Sequence, residues 1–340
     1  MRSQIARQPT RRMLDSIRSM SAATLERNAL DAANHVATVV NCYALFDKFF
    51  PTCGMLDYTE GIYHGDATVA YEQAQLNQIR YVLDEVHCAA GTRVLDVGCG
   101  NGTLLDEVRM RGAAGVGITV SPEQVALCRK RGLDARLLDY KDIGRELTHQ
   151  FDAVVANGPI EHFVLPSDAA KGNADPIYRH MFETFHRMID PSSPVRRLIN
   201  TTIHFIRNPR PEALLRSPWR YRWGSDDFHY AWLARSFGGF YPAMGQLESC
   251  AGSRFEMVKS VDGTLDYHLT SEEWLRRIRA ALRTRTGPAM FLKSLPFVVR
   301  HPRQTLTMLF TMLVTESWNW QFRTSEPPTR LLRQTWRYCA

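Results

Sequence analysis

Apolar and polar positions change period along the first half of the chain, and the changes predict strands separated by helices. Apolar residues recur at helical spacing from about Tyr71 to Glu85, and a second helical stretch is expected from about Thr103 to Arg111. Short apolar runs between turn residues predict strands at RVLDVG, AAGVGITV, DARLLDY and FDAVVANG. Strands that alternate with helices indicate βαβ units and a parallel sheet covered on both faces.

Helix-end signals and later runs extend this pattern. SPEQVALCRKRG opens with a serine suited to capping, has proline at the first helical position and ends at a glycine. FEMVKSVDG and RLLRQTWRY predict strands, SEEWLRRIRAAL a capped helix, and PFVVRHPRQTLTMLF a helical stretch. Residues 206–250 are looser and are expected to form an insertion or lid. Residues 1–35 are polar and charged, which predicts a frayed arm or a first helix.

Composition narrows the class of protein only modestly. With 340 residues, of which 44% are hydrophobic and 23% charged, the chain is typical of globular proteins. A net charge of +7 suggests an anionic partner, although a basic surface without a partner fits it equally well. Seven cysteines without a CxxC pair favour neither disulfides nor a metal site, so a reduced, cytoplasmic protein is expected. Neither a signal peptide nor a spanning helix is predicted, since apolar runs such as LTMLFTMLV are short.

The motif LDVGCGNG, from Leu95 to Gly102, predicts a strand-to-helix turn whose backbone approaches a ligand closely. Its glycines follow GxGxG spacing, whereas a dinucleotide fingerprint has GxGxxG. Asp96 stands two positions before the first glycine. A carboxylate at that place suits an ammonium or a hydroxyl better than a diphosphate.

With the next strand, this motif resembles the class I S-adenosylmethionine (SAM) methyltransferases. An ordered set of motifs over roughly residues 45–340 resembles one family more narrowly, the cyclopropane fatty acid synthases and mycolic acid methyltransferases. The set is DYTEGIY, Ala74-Gln75, GITVSPEQ, LLDYKDI, FDAVVANGPIEHF, FYP and LDYHLTSEEW. The resemblance implies an α/β, Rossmann-like fold with a mostly parallel seven-stranded sheet, an N-terminal helical cover and an inserted lid.

The resemblance also implies a division of the chain. Residues 1–65 would form the helical cover and an active-site loop, and residues 66–205 the SAM-binding core. Residues 206–250 would form the arginine- and aromatic-rich lid, and residues 251–340 would complete the sheet with apolar helices. SAM is the implied cofactor and S-adenosylhomocysteine the implied product.

Cofactor contacts can be carried over residue by residue from the matching motifs. The residues implied for the methionine part are Asp96, Gly98 and Gly100, those for the ribose are Thr119 and Gln124, and those for the adenine are Asp139 and Tyr140, with Tyr58 and Gln75 beside them.

Proton removal in this family is attributed to a bicarbonate held by a YSC cysteine, a glutamate in an EH motif, a histidine after the fifth strand and a tyrosine. Glu161 and His162 match the EH pair, and Tyr267 matches the tyrosine. The YSC motif reads YTE here, with Glu60 in place of cysteine, and Asn200 stands at the histidine position. The use of bicarbonate is therefore doubtful, and Glu60 is a candidate base in its place. The alternative is that Glu60 is an exposed loop residue.

The arginines of the expected lid have two interpretations. Arg216, Arg220 and Arg222 could clamp an anionic head, because arginine binds phosphate bidentately, or they could form a solvated basic loop. The head could belong to a phospholipid, a phosphopantetheine carrier or a prenyl diphosphate. Interleaved aromatic residues would also suit nucleic acid. The family resemblance and the apolar C-terminal region argue against nucleic acid.

We therefore expect a SAM-dependent C-methyltransferase acting on a carbon–carbon double bond of a lipid-like or prenyl substrate, which we expect to be anionic. Its product would be a cyclopropane or a methyl-branched or methylene compound, formed through a carbocation. The alternatives are a prenyl diphosphate C-methyltransferase, a small-molecule N-methyltransferase, and a SAM- or lipid-binding protein without catalysis. A cytoplasmic location is expected, with peripheral contact at the inner face of the membrane left open.

Overall fold

The computed structural model describes residues 37–55, 57–284 and 286–340, so the expected arm or helix at residues 1–35 lies outside the described residues. Seven strands in the described part form one sheet: β1 Arg93–Val97, β2 Ala114–Thr119, β3 Asp134–Leu137, β4 Ala153–Asn157, β5 Arg197–Phe205, β6 Phe255–Asp262 and β7 Thr329–Tyr338. Their order is β3-β2-β1-β4-β5-β7-β6. Within this sheet β7 is antiparallel to both of its neighbours, and β1 to β5 pair in parallel. The predicted mostly parallel seven-stranded sheet is confirmed.

Helices cover both faces of this sheet. Those described are α1 over 37–49, α2 Tyr71–Glu85, α3 Thr103–Met110, α4 Pro122–Lys130, α5 Pro166–Ala170, α6 Ala174–Met188, α7 Pro211–Leu214, α8 Asp226–Phe237, α9 Gln246–Ala251, α10 Thr264–Leu282, α11 Thr286–Arg300, α12 Pro302–Leu309 and α13 Ser317–Trp320. A π-helical turn, Phe310–Val314, extends α12. In the described part of the chain, no helix has both the length and the apolar character that crossing a bilayer requires.

Local sequence signals explain where some helices begin, and one start was predicted wrongly. Ser121 caps α4 by accepting a hydrogen bond from the backbone N–H of Gln124, as predicted from SPEQ. The helix predicted from SEEW onward begins seven residues earlier, at Thr264. Ser271 is buried within α10 and its hydroxyl donates to the carbonyl of His268, so it is no cap. Buried Tyr267 and Trp274 lie two turns apart on one face of this longer helix.

Two apolar clusters decide where a ligand can bind. One packs β1 and β4 against α6 and includes Leu95, Val154 and Phe185. The other joins α1, α8, α10 and α12 around Phe46 and Trp274. The helices of the second cluster come from distant parts of the chain. Packed together, they cover the C-terminal ends of the parallel strands.

Candidate active site

A cavity of about 730 Å³ lies at the C-terminal ends of the parallel strands. Open α/β sheets bind ligands at this edge, and the volume is within the range of small-molecule sites. One half of the cavity, which we call the polar half, is lined by residues that end or follow β1, β2 and β3. The other half, called the apolar half, lies beneath α1, α8 and α10.

The glycine motif after β1 forms a tight turn with its backbone against the polar half. Gly98, Gly100 and Gly102 have φ angles of 78°, 51° and 79°, which favour glycine. A Cβ on Gly98 would lie 2.7 Å from the Cβ of Pro159. A Cβ on Gly100 would have no described atom within 4 Å, because this part of the turn borders open space. The turn can therefore come into close contact with a ligand.

Carboxylates stand beside this turn at the end of β1. Burial, and after it the nearby Asp57 carboxylate, raise the pKa of Asp96 to about 8. The pKa of Asp57 is raised by its own burial. The Tyr58 hydroxyl next to them donates to Asp47 and accepts from Asn101 Nδ2 at 2.8 Å. This acidic end suits a cationic ligand group such as an ammonium, which would stabilise the ionised carboxylates.

Hydroxyl, amide and aromatic groups line the rest of the polar half. The Thr119 hydroxyl donates to Gln124 Oε1 at 2.7 Å. The ring of Tyr140 stacks on Phe163 with centroids 3.9 Å apart. Asp139 borders the same space and accepts from the backbone N–H of Lys141. The polar half thus offers partners for a sugar beside an aromatic surface for a base.

Gln75 differs from the other expected cofactor residues because it does not line the cavity. It lies on the buried face of α2, and its Nε2 donates to the carbonyl of Thr59 at 3.0 Å. This contact holds the loop that carries Tyr58 and Glu60. The expectation that Gln75 contacts the cofactor is therefore corrected: in this geometry it positions the loop.

Glu161 is the carboxylate with a free oxygen in the apolar half. It lies in a 3₁₀ turn, Ile160–His162, that follows β4. Its Oε1 accepts from the backbone N–H of Ile203 at 2.8 Å, while its buried Oε2 has no hydrogen-bond partner among the described residues. Burial raises the pKa of Glu161 to about 8 despite the Ile203 hydrogen bond. An uncompensated buried carboxyl in a cavity is typical of functional sites.

Glu60 also reaches the cavity but is compensated by an arginine. It is 1% exposed, so the alternative of an exposed loop residue is wrong. Glu60 Oε1 lies 2.8 Å from Arg333 Nε, and Arg333 Nη1 lies 2.9 Å from Asp266. Burial raises the pKa of Glu60 and the arginine opposes that rise. Arg333 was not among the predicted site residues, although an arginine between the apolar residues of the predicted strand RLLRQTWRY needs a buried acidic partner.

His162 and Tyr267 both line the apolar half. His162 Nδ1 lies 3.1 Å from the carbonyl of Phe237, and its Nε2 lies 2.8 Å from the Tyr43 hydroxyl. Since a carbonyl can only accept, Nδ1 carries hydrogen, and Nε2 of the neutral ring accepts from Tyr43. Tyr267 stacks on Phe322 with centroids 4.5 Å apart. His162 thereby orients Tyr43, and Phe322 fixes the ring of Tyr267.

Asn200 lies on the other side of β5, and the expectation that it borders the site is corrected. Its Oδ1 accepts from Trp336 Nε1 at 2.7 Å, and its Nδ2 donates to the Thr202 hydroxyl at 2.8 Å. Thr201 and Ile203, which line the cavity, alternate with Asn200 along the strand. The two-residue period of a strand therefore turns Asn200 away.

The predicted arginine clamp is not formed over the cavity. Arg216, Arg220 and Arg222 are exposed and do not line it. The expected lid does contribute to the cavity, but with aromatic and apolar side chains: Leu214, Tyr230, Leu233, Phe237 and Tyr241. Sequence reasoning also missed Tyr43 and Trp318 in the wall, since single aromatic residues in helices most often mark ordinary core.

The model of the family described as mycolic acid cyclopropane synthetase matches residues 31–287. A ubiquinone biosynthesis O-methyltransferase of Pseudomonas syringae pv. tomato is 31% identical over 134 residues, which are 38% of this chain and 50% of the relative. The cyclopropane-fatty-acyl-phospholipid synthase of Escherichia coli K12 is 36% identical over 96 residues, 27% of this chain and 24% of the relative. The chain thus spans half or less of these relatives.

Among solved structures, the mycolic acid cyclopropane synthase CmaA1 complexed with SAH and CTAB is similar with a TM-score of 0.66. The similarity covers 89% of this chain and 98% of that one at 18% sequence identity. At this identity the likeness concerns the fold.

Proposed function

The chain belongs to the mycolic acid cyclopropane synthetase family, and from that premise we propose that it is a SAM-dependent C-methyltransferase acting on a carbon–carbon double bond of a lipid-like substrate. One observation carries the proposal: a polar half suited to SAM adjoins an apolar, aromatic half that contains the uncompensated carboxyl of Glu161. The product would be a cyclopropane or a methyl-branched or methylene compound.

The residues of the polar half fit SAM. Asp96 would hold the ammonium of the methionine part, Thr119 and Gln124 the ribose, and Tyr140 the adenine. When bound, the cofactor supplies a methyl group that its sulfonium already activates. The protein's contribution is then to align the substrate and to exclude water.

The apolar half fits an acyl chain and a positive charge on it. Leu214, Leu233 and Ile203 provide aliphatic contacts, while Tyr43 and Trp318 provide aromatic rings. Methylation of an isolated alkene leaves a cation on the neighbouring carbon, and aromatic faces stabilise cations. A site of this kind suits a lipid-like chain.

We assign the final proton to Glu161 and not to Glu60. The electron pair of a C–H bond of the transferred methyl group closes a cyclopropane, or that of a C–H bond on the carbon next to the cation forms a double bond; in either case the proton passes to Glu161 Oε2. This oxygen is unpartnered among the described residues, and the raised pKa of Glu161 makes it a better base than an ordinary carboxylate. Glu60 is held by Arg333, which lowers its affinity for a proton.

A prenyl diphosphate substrate receives less support from the geometry. Its diphosphate would need cations at the apolar half, but Arg216, Arg220 and Arg222 lie outside the cavity wall. The lysines in that wall, Lys141 and Lys171, lie towards Tyr140 in the polar half. We therefore retain the acyl substrate as the proposal.

The test is incubation with methyl-labelled SAM and separate acyl-lipid, prenyl diphosphate and amine pools, followed by mass spectrometry. We expect label in acyl lipids as a mass increase of one CH₂. Label confined to prenyl diphosphates or amines would contradict the proposed substrate. No label in any pool, with SAM bound, would indicate a binding protein.

Two glutamine variants test which of the two glutamates accepts the proton. Glu161→Gln should lower turnover on the order of 10²–10⁴-fold with SAM still bound, the range for a lost general base. Glu60→Gln should lower it far less. The opposite ranking would return the role to Glu60, and a wild-type rate that requires added bicarbonate would assign the proton to a bound anion.

A further inference from the structure

Two tryptophans of the expected lid lie on the surface. Trp219 is 63% exposed and Trp223 is 57% exposed, whereas large aromatic side chains usually bury most of their surface. Both rings pack against Phe310, with centroids 5.5 Å and 6.3 Å away. The two indoles are therefore fixed side by side on one support.

Apolar side chains of α12 and its π-helical extension lie on the same side as that support. Leu306, Phe310 and Val314 are four residues apart, and Leu306 and Val314 are each more than half exposed. With Trp219 and Trp223 they form what we call the indole face. Contiguous apolar surface of this kind marks an interaction site.

Exposed cations alternate with the indoles along the chain. In the stretch RSPWRYRW, Arg216, Arg220 and Arg222 alternate with the tryptophans, and all three are exposed. None of the three forms an ion pair with a described residue. Asp226, the acid closest in sequence to Trp223, is paired with Arg207 at 2.7 Å.

Helix α8 separates the indole face from the apolar half of the cavity. Its Trp232 contacts Trp219 and Phe310, while Leu233 and Phe237 of the same helix line the cavity. The surface is thus one helix away from the place where an acyl chain would bind.

We propose that the indole face docks this protein on a bilayer that contains anionic phospholipids. Tryptophan rings favour the head-group level of a bilayer, and arginines next to them bind lipid phosphates. A bilayer is the favoured partner because its two layers match the two kinds of side chain. The indoles suit the apolar interior near the head groups, and the unpaired arginines suit the anionic head groups above it. The docking is independent of the cavity chemistry; only the delivery of an acyl chain from that bilayer rests on the proposed function.

The test is cosedimentation of the full chain with vesicles of phosphatidylcholine alone or mixed with phosphatidylglycerol. We expect at least tenfold more binding to the mixed vesicles, lost in high salt. Trp219→Ser/Trp223→Ser and Arg220→Gln/Arg222→Gln should each reduce that binding at least tenfold. The matched control is Lys130→Gln/Arg145→Gln, which removes two exposed cations elsewhere and should bind as the wild type does.

Several outcomes would overturn the proposal. One is that the variants bind mixed vesicles as well as the control does, and another is that the wild type does not bind them. A third is that the tryptophans mediate a complex with an acidic carrier protein or a second copy of the chain instead of binding to vesicles. Unchanged circular dichroism and melting of the variants serve as the folding check. Turnover of a detergent-dispersed substrate separates the two proposals, since vesicle binding without turnover would overturn only the proposed function.

Discussion

Glu60 and Glu161 reach the same cavity, yet the groups around them give them different chemistry. Arg333 balances the charge of Glu60, whereas Glu161 has only the backbone N–H of Ile203 as a described hydrogen-bond partner. Since burial disfavours the charged form, Glu161 holds its proton well above the ordinary pKa of a carboxyl. Turnover that depends on ionised Glu161 should then rise with pH towards about 8.

The same shift predicts how stability depends on pH. The pKa of Glu161 is about 8 in the folded protein against 4.5 ordinarily, so between these values the folded state keeps a proton that the unfolded chain releases. Glu161 thus contributes stability at low pH that is lost as pH rises through this window, by up to ~1.4 kcal/mol per pH unit. The stability of Glu161→Gln should not fall in this way as pH rises, because glutamine does not ionise. Urea unfolding of both proteins across the window checks it, and parallel curves would contradict it.

The buried pair of Glu60 and Arg333 predicts a large cost when one partner is removed. Arg333→Met leaves the buried carboxylate of Glu60 and the partly buried one of Asp266 without their cation and should destabilise the fold by about 3–5 kcal/mol. Adding Glu60→Gln should recover part of that loss. Arg337→Met is the matched control, because Arg337 lies on the same strand and pairs with Glu256 at the surface; it should cost less than ~1 kcal/mol. Equal costs from urea unfolding would show that the buried pair is not special.

At the scale of elements, the sheet and its glycine turn were predictable from the sequence. Which side chains point into the cavity was not predictable in several cases. RVLDVG and its neighbours combine apolar period, glycines and caps that all favour one local structure. Asn200 was assigned to the site from the family resemblance, but the two-residue period of β5 turns its side chain away from the cavity. The arginines after Arg210 follow no regular period along the chain. Their position outside the cavity depends on how α8 packs, which the local sequence does not specify. Glu60 was predicted as a site residue and is buried at the cavity, but its partner Arg333 comes from a distant strand that local pattern does not identify.

The turn after β1 predicts different effects for two similar substitutions. Gly98→Ala needs an unfavourable φ and places a Cβ 2.7 Å from Pro159, so it should destabilise the fold by roughly 1–3 kcal/mol. Gly100→Ala also needs a positive φ, of 51°, but its Cβ meets open space beside the polar half and contacts no described atom. It should weaken SAM binding more than it lowers stability. Calorimetric titration and thermal unfolding of both variants separate the effects, and the same balance of effects in both would contradict this account.

Over the whole molecule, the cavity joins the polar half at the sheet to the apolar half under the helices. The chemistry of each half can be tested separately. Glu161 governs the apolar end, while Asp96 and Asp57 give the other end its charge. A cation entering the acidic end favours ionised carboxylates. Cofactor binding should therefore be linked to proton release.

This linkage can be measured on the folded protein. The pKa of Asp96 is about 8 without a ligand, so below that pH the carboxyl must lose its proton before it can hold an ammonium. Between about pH 6 and 7.5, SAM affinity should rise by up to tenfold per pH unit, with about one proton released on binding. Asp96→Asn should bind weakly with little dependence on pH in this range. Calorimetric titration in buffers of different ionisation enthalpy counts the protons, and a wild type that binds SAM without releasing one would exclude Asp96 as the group that holds the ammonium.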